Sequence, residues 1–133
     1  MNIGQAAARS GVPAKTIRYY ESIGLIAPAE RRASGYRIFS ENDIRRLRFI
    51  HRCRRLGFSV RQVGALLALW SDRDRASADV KAIAAEHLDE IDSRIAELRD
   101  MRTTLEDLAH RCQGNDRPEC PIITNLAGED QGG

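Results

Sequence analysis

The sequence predicts a mainly α chain: a winged helix-turn-helix over residues 1–70, a linker over 71–77, a dimerisation helix over 78–110, a loop with a short helix over 111–127, and a tail at 128–133. Three observations lead there. Two short helical segments flank a turn holding Gly11 and Pro13, a heptad run fills most of the second half, and the charge divides between the halves.

Ile3 to Ser10 suits a short helix, with Gly11 where a left-handed residue would end it and Pro13 blocking its continuation. Ala14 to Ser22 suits a second, in which Ile17 and Tyr20 share one face while Lys15, Arg18 and Tyr19 lie on others. Gly24 to Gly35 is rich in turn residues, and Tyr36-Arg-Ile-Phe39 has the β-branched and aromatic content of a short strand, the wing. Ser40 or Asn42 caps a third helix, Glu41 to Leu56, with Ile44, Leu47, Ile50 and Leu56 as its apolar stripe and Gly57 as its stop. Ser59 caps a fourth, Val60 to Trp70, whose Val63, Leu66, Leu67 and Trp70 face inward.

Ser77 is placed to cap the long helix, from Ala78 to about His110, with Asp79 at the positive end of the dipole. Ala84, Leu88, Ile91, Ile95 and Leu98 recur at alternating spacings of four and three; the phase lapses near Met101 and returns at Leu105 and Leu108. Such a stripe needs a second copy of the same helix, so a homodimer is expected. Cys120 then caps one further helical turn with Pro121 at its first position, and the tail from Gly128 reads as disordered.

Residues 1–75 carry 15 Lys and Arg against 6 Asp and Glu, a net of +9, whereas residues 76–133 carry 6 against 13, a net of −7. A basic half facing a polyanion is the economical reading. Lys15, Thr16, Arg18 and Tyr19 on the second helix, with Arg31, Arg32, Tyr36 and Arg37 on the wing, are the candidates to hold phosphates or read bases in double-stranded DNA. The arginines of the third helix, Arg45 to Arg55, read as a solvated face. No nucleophile with a base is legible, which argues against an enzyme. No apolar run approaches a membrane span and no leader is evident, so a cytosolic chain without membrane contact is expected.

Cys53 falls mid-helix and reads as a small core residue. Cys112 and Cys120 are separated by seven residues that include Gly, Asn, Asp and Pro, so a tight loop can bring them together. Such a pair can bind a metal, oxidise to a disulfide, or remain two surface thiols. Structural zinc needs four ligands and the loop offers two. Two thiolates suit a soft, singly charged ion, Cu(I) in particular. The resulting negative charge could be offset by the turn at Pro121 and by the start of the long helix, at Ser77 and Lys81.

The landmarks Ile3-Gly-Gln-Ala-Ala-Ala, Gly11-Val-Pro, Thr16-Ile-Arg-Tyr-Tyr-Glu21, Gly24-Leu-Ile, Gly35-Tyr-Arg37 and Leu56-Gly-Phe-Ser59 together resemble the MerR family of winged-helix regulators across nearly the whole chain. Within it, Ser77-Ala-Asp-Val-Lys81 and the loop from Cys112 to Cys120-Pro-Ile-Ile look like the copper-efflux (CueR) group. The resemblance implies Cu(I), with Ag(I) or Au(I) sharing the same donors, at Cys112 and Cys120. It also implies that Ser77 stands where sensors of divalent ions carry a third cysteine. The extra Cys and His residues that some relatives carry after the loop are missing here. Dimers of the family bind a palindrome within a promoter and distort the DNA when metal binds, so that RNA polymerase can use it.

Overall fold

In the computed structural model, which describes residues 1–31, 35 and 37–129, the chain forms two compact units, Met1–Ala84 and Ala85–Gly133. Helix α1 (Ile3–Ser10) is closed at its start by a reciprocal box: the Asn2 side chain accepts from the Gln5 amide at 2.8 Å and the Gln5 side chain accepts from the Asn2 amide at 2.9 Å. It ends where Gly11 adopts φ 80° and donates its amide to the Ala7 carbonyl at 3.0 Å. Helix α2 (Ala14–Ser22) follows Pro13 and buries Ile17 and Tyr20, as the spacing predicts.

The wing is two strands rather than one. Strand β1 (Glu30–Arg31) pairs antiparallel with β2 (Arg37–Ile38), Glu30 opposite Ile38 and Arg31 opposite Arg37. The turn residues from Gly24 onward hid β1, because two residues are too short for an alternation to register. Arg32 and Tyr36 lie outside the described residues. Just past β2, Phe39 donates to the Met1 carbonyl at 2.7 Å and accepts from the terminal amine at 3.2 Å, tying the wing to the start of α1.

Helix α3 (Glu41–Arg55) is capped by Ser40, whose side chain accepts from the Asp43 amide while the Asp43 carboxylate accepts from the Ser40 amide. Its buried face is Ile44, Leu47, Ile50 and Cys53, not Leu56, which is 69% exposed. At 3.6 residues per turn Leu56 lies about 240° round from Ile50, off the stripe, whereas Cys53 lies within about 60° of it. Leu56 is also the residue at which the helix ends before Gly57 turns the chain at φ 88°.

Helix α4 (Val60–Ser71) is capped by Ser59 with Gln62 closing the box, and buries Val63, Leu66 and Leu67. Trp70 is only half-buried. It stacks on Phe49 with centroids 4.5 Å apart and the planes 11° from parallel, and Arg45 lies 5.8 Å from its centroid. The core thus gathers side chains from α1, α2, α3 and α4, with Val80 and Ile83 packed against it.

Helix α5 (Ser77–Arg111) runs for 35 residues and starts one residue before the Ala78 expected, so Ser77 is its first residue rather than its cap. In the second unit its seam is largely uncovered: Leu88, Ile95, Leu98 and Leu105 are exposed, Ile91 is half-buried, and Leu108 is buried at 3% exposure. Two single-turn ion pairs, Arg102 with Glu106 and Arg111 with Asp107, line its later turns. Helix α6 (Pro121–Leu126) starts at proline with Cys120 as its cap residue. No described helix is long and apolar enough to cross a membrane.

Truncating Leu47 to Ala should cost about 2–5 kcal/mol, the range for a fully buried leucine. Truncating Leu56 should stay within about 0.5 kcal/mol. Urea unfolding at one fixed protein concentration separates the two, and equal losses would contradict the assignment of the core.

Candidate functional site

Two sets of residues carry chemistry, one in each unit. In the first, α2 presents Lys15, Arg18 and Tyr19 on its exposed side and Thr16 half-buried, while Ile17 and Tyr20 anchor the opposite side in the core. The burial alternation therefore leaves a basic and hydroxyl-bearing face on the second helix of a helix-turn-helix, the chemistry that phosphates and base edges require. Arg31 lies in β1.

Arg37 has a different setting from the one its motif suggests. Its Nη1 is 3.3 Å from Oε1 of Glu21, whose other oxygen accepts from the Ala29 amide at 3.0 Å. Glu21 is the residue that reading the sequence for cations passed over. The signal was there, a carboxylate near the end of a helix in a half with only six acidic residues.

Several arginines of α3 are engaged within the first unit rather than displayed for a ligand. Arg48 donates from Nε to the Arg9 carbonyl at 3.0 Å, Arg46 to the Ser71 hydroxyl at 3.2 Å, and Arg54 to the Phe58 carbonyl. Arg9 pairs with Glu41 through its two terminal guanidinium nitrogens, and this hydrogen bonding first of all holds the Glu41 carboxyl below its ordinary value.

In the second unit the loop closes, as its spacing allows. The Cys112 amide donates to the Leu108 and Ala109 carbonyls, each at 3.2 Å, so the residue continues the last turn of α5. Between the cysteines, Gly114 takes φ 63° and the Asn115 side chain accepts from the Arg117 amide at 2.9 Å, which reverses the chain. The two sulfurs end 3.3 Å apart, each residue half-buried.

Hydrogen bonds from the Ile123 amide and, next, from the Cys112 thiol hold the Cys120 thiol below its ordinary value. Burial pushes the other way, and the Ile122 amide makes the smallest contribution to the lowering. A cleft of about 350 Å³ lined by Arg111, Glu119, Cys120, Pro121 and Thr124 opens beside this sulfur. Cys53, by contrast, is buried in α3 and burial pushes its thiol up.

The donor set is narrow. Among the described residues no group of three or more His, Cys, Asp or Glu side chains could hold a metal ion. His110, on α5, is only two residues before Cys112 yet joins no such group, and His87 pairs with Glu90 at 3.2 Å. Two thiolates this close can share one ion, and the sulfurs would part from 3.3 Å to about 4.6 Å for a linear arrangement at the roughly 2.3 Å of a metal–thiolate bond. Ser77 and Lys81 begin α5 in the first unit, both exposed.

Residues 1–69 match the family of MerR HTH regulatory proteins, and residues 44–108 match the family described as MerR, DNA binding. The chain is 58% identical to the HTH-type transcriptional regulator HmrR of Sinorhizobium medicae over 127 residues, covering 96% of this chain and 86% of that one. It is 41% identical to the HTH-type transcriptional regulator CueR of Salmonella typhimurium, covering 96% and 93%. Among solved structures it is similar to the transcription regulator PbrR691 of Ralstonia metallidurans CH34 in complex with lead(II), with a TM-score of 0.82 at 29% identity, over 95% of this chain and 98% of that one.

The thiol settings lead to a labelling order. Brief iodoacetamide treatment near neutral pH should alkylate Cys120 well before Cys53, because thiolate reacts and thiol does not. Peptide mass spectrometry reads the order. Modification of Cys53 in the folded protein at a matching rate would mean that the burial described for α3 is wrong.

Proposed function

The chain belongs to the MerR family of helix-turn-helix transcription regulators, and from that premise we propose that it is a heavy-metal-responsive regulator that binds promoter DNA as a homodimer and is activated by Cu(I) held at Cys112 and Cys120. The observation that carries the metal reading is the approach of the two sulfurs to 3.3 Å with no cluster of three or more donors among the described residues. Two soft thiolates and no hard oxygen or imidazole favour a monovalent soft ion over zinc or another divalent ion. Ag(I) and Au(I) share that preference and are the nearest competitors.

The residues fit such an ion. Cys112 and Cys120 would supply both bonds, and the amides of Ile122 and Ile123, already directed at the Cys120 sulfur, would offset the surplus negative charge that one monovalent ion leaves on two thiolates. By holding one ion between them, Cys112 and Cys120 would tie the end of α5 to the start of α6.

The dimer reading rests on Leu88, Ile95, Leu98 and Leu105, which are exposed along α5. Burying a leucine fully is worth roughly 1.5–3 kcal/mol, and a second copy of the same helix offers a matching face. If the two helices run antiparallel, the start of one copy's α5, with Ser77 and Lys81, comes to the end that carries the other's cysteines. Lys81 would then add positive charge there, and Ser77 would withhold a third thiolate.

DNA would be bound through Lys15, Thr16, Arg18 and Tyr19 of α2 and through Arg31 and Tyr36 of the wing, while Arg37, expected from its motif to join them, faces Glu21 at 3.3 Å. Occupancy of the dithiol would favour one conformer of the dimer. Coupling between metal and DNA requires only that the two conformers differ in metal affinity, and the same difference can be delivered as a change in DNA shape that suits RNA polymerase. The genes controlled would then be those that export or detoxify the ion.

One observation also favours a second reading. Sulfurs at 3.3 Å are close enough to join as a disulfide, so a thiol redox switch uses the same two residues.

Transcription in vitro from the cognate promoter, titrated with Cu(I), Ag(I), Au(I), Zn(II) and Hg(II) under reducing conditions, tests the proposal. Activation by Cu(I) and not by Zn(II) is expected, whereas activation by oxidant without metal would establish the redox reading instead. Cys112→Ser and Cys120→Ser should each abolish the metal response and leave operator affinity within about twofold, inside the ±0.5 kcal/mol of a surface change. A variant that still responds to Cu(I) would remove that residue from the site. Ser77→Cys should extend the response to Zn(II) or Hg(II) by supplying the missing thiolate, and unchanged selectivity would dismiss the role given to Ser77.

A further inference from the structure

We propose that Glu21 is a positioning residue for DNA recognition: its carboxylate fastens both strands of the wing to the recognition helix, and Arg37 acts through that attachment rather than by meeting a phosphate. The inference depends on the DNA binding of the family and is independent of the metal.

Glu21 sits at the next-to-last position of α2, one turn beyond Arg18, on a side chain only 8% exposed. Its Oε2 accepts from the amide of Ala29, the residue immediately before β1, at 3.0 Å. Its Oε1 faces Nη1 of Arg37, the first residue of β2, at 3.3 Å. One carboxylate therefore holds the entry of one strand and the start of the other. The far end of β2 is fixed separately, by the paired bonds between Phe39 and Met1. With both ends tied, the offset between the face bearing Lys15, Arg18 and Tyr19 and the wing is set by protein contacts before DNA arrives.

The same geometry speaks against a phosphate role for Arg37. Its side chain is 25% exposed and its charge already faces a buried carboxylate. Among the described residues Glu21 Oε1 and Arg37 Nε are buried without a hydrogen bond, so attraction between charges, rather than a directed fork of bonds, holds the pair. Buried polar atoms left in that state are uncommon and call for a reason. Holding the wing at one distance from α2 supplies one, because phosphates along a duplex are fixed in spacing and a displaced wing would lose contacts it still possesses.

The test uses the full-length protein with Glu21→Gln, Arg37→Gln and the double variant. Operator and random-sequence duplexes are titrated across a range of salt, and thermal unfolding is recorded for each variant. Glu21→Gln keeps the shape and the acceptor for the Ala29 amide, so its fold should survive. Each single variant is expected to weaken operator binding about tenfold, leave random-duplex binding and the log–log salt slope unchanged, and be no better than the double, the signature of two residues acting as one unit.

A phosphate contact behaves differently, since each one lost lowers the slope by about 0.9. If Arg37→Gln lowers the slope while Glu21→Gln leaves affinity intact, or if the two losses multiply in the double variant, the proposal fails. It fails equally if operator and random-duplex binding fall together in step with the melting temperature, because the pair would then only stabilise the domain.

Discussion

A helix of 35 residues that leaves Leu88, Ile95, Leu98 and Leu105 exposed is the constraint on which the rest of the molecule turns. Apolar side chains at heptad spacing in water stabilise nothing until another surface covers them. A second copy of α5 is the economical cover, and pairing brings further consequences. A dimer carries two recognition helices, as a palindromic operator requires. An antiparallel pair also brings the first turn of one α5 to the last turn of the other. Dimerisation, operator symmetry and the surroundings of the thiols would then follow from one uncovered stripe.

The dithiol depends on the same helix in a second way. Cys112 continues the last turn of α5 and Cys120 caps α6, so the sulfurs are presented by two helix ends rather than by the loop between them. Side chains on regular elements are held more narrowly than side chains on loops. The loop contributes only the reversal, through Gly114 and Asn115. Selectivity on this account comes from donors that are missing as much as from donors present. His87 is engaged with Glu90, and the Ser77 hydroxyl is a poor ligand for a soft ion.

Most of the helical framework was legible because its signals are local. Ser40, Ser59, Gly11 and Gly57 all act within a turn of where they stand, and the helices they bound begin or end beside them. The meeting of Cys112 and Cys120 was legible as a possibility for the same reason, since a seven-residue spacer with Gly, Asn, Asp and Pro allows a tight loop, though it left open that they stay two surface thiols. What escaped depends on phase or on distant partners. Leu56 looked apolar enough for the core, but the accumulated rotation of α3 carries it to the solvent side and assigns its place to Cys53. Strand β1 is too short to show a period, and only pairing with β2 defines it. Glu21 and Arg37 are 16 residues apart, so nothing local announces that the acid faces the base. The arginines of α3 do form a mostly exposed face, as read; what the sequence did not show is that Arg48, Arg46 and Arg54 also tie α3 to α1, to the end of α4 and to the turn at Phe58.

The central claim is that a single soft ion is held by two thiolates and by nothing else. X-ray absorption at the copper edge, on the full-length protein loaded with one Cu(I) per chain under reducing conditions, counts the neighbours of the ion directly. Two sulfur neighbours per copper are expected, and none when Cys112 and Cys120 are both replaced by serine. A third sulfur, or a nitrogen or oxygen at bonding distance, would contradict the account, because selectivity could not then rest on the absence of a third donor.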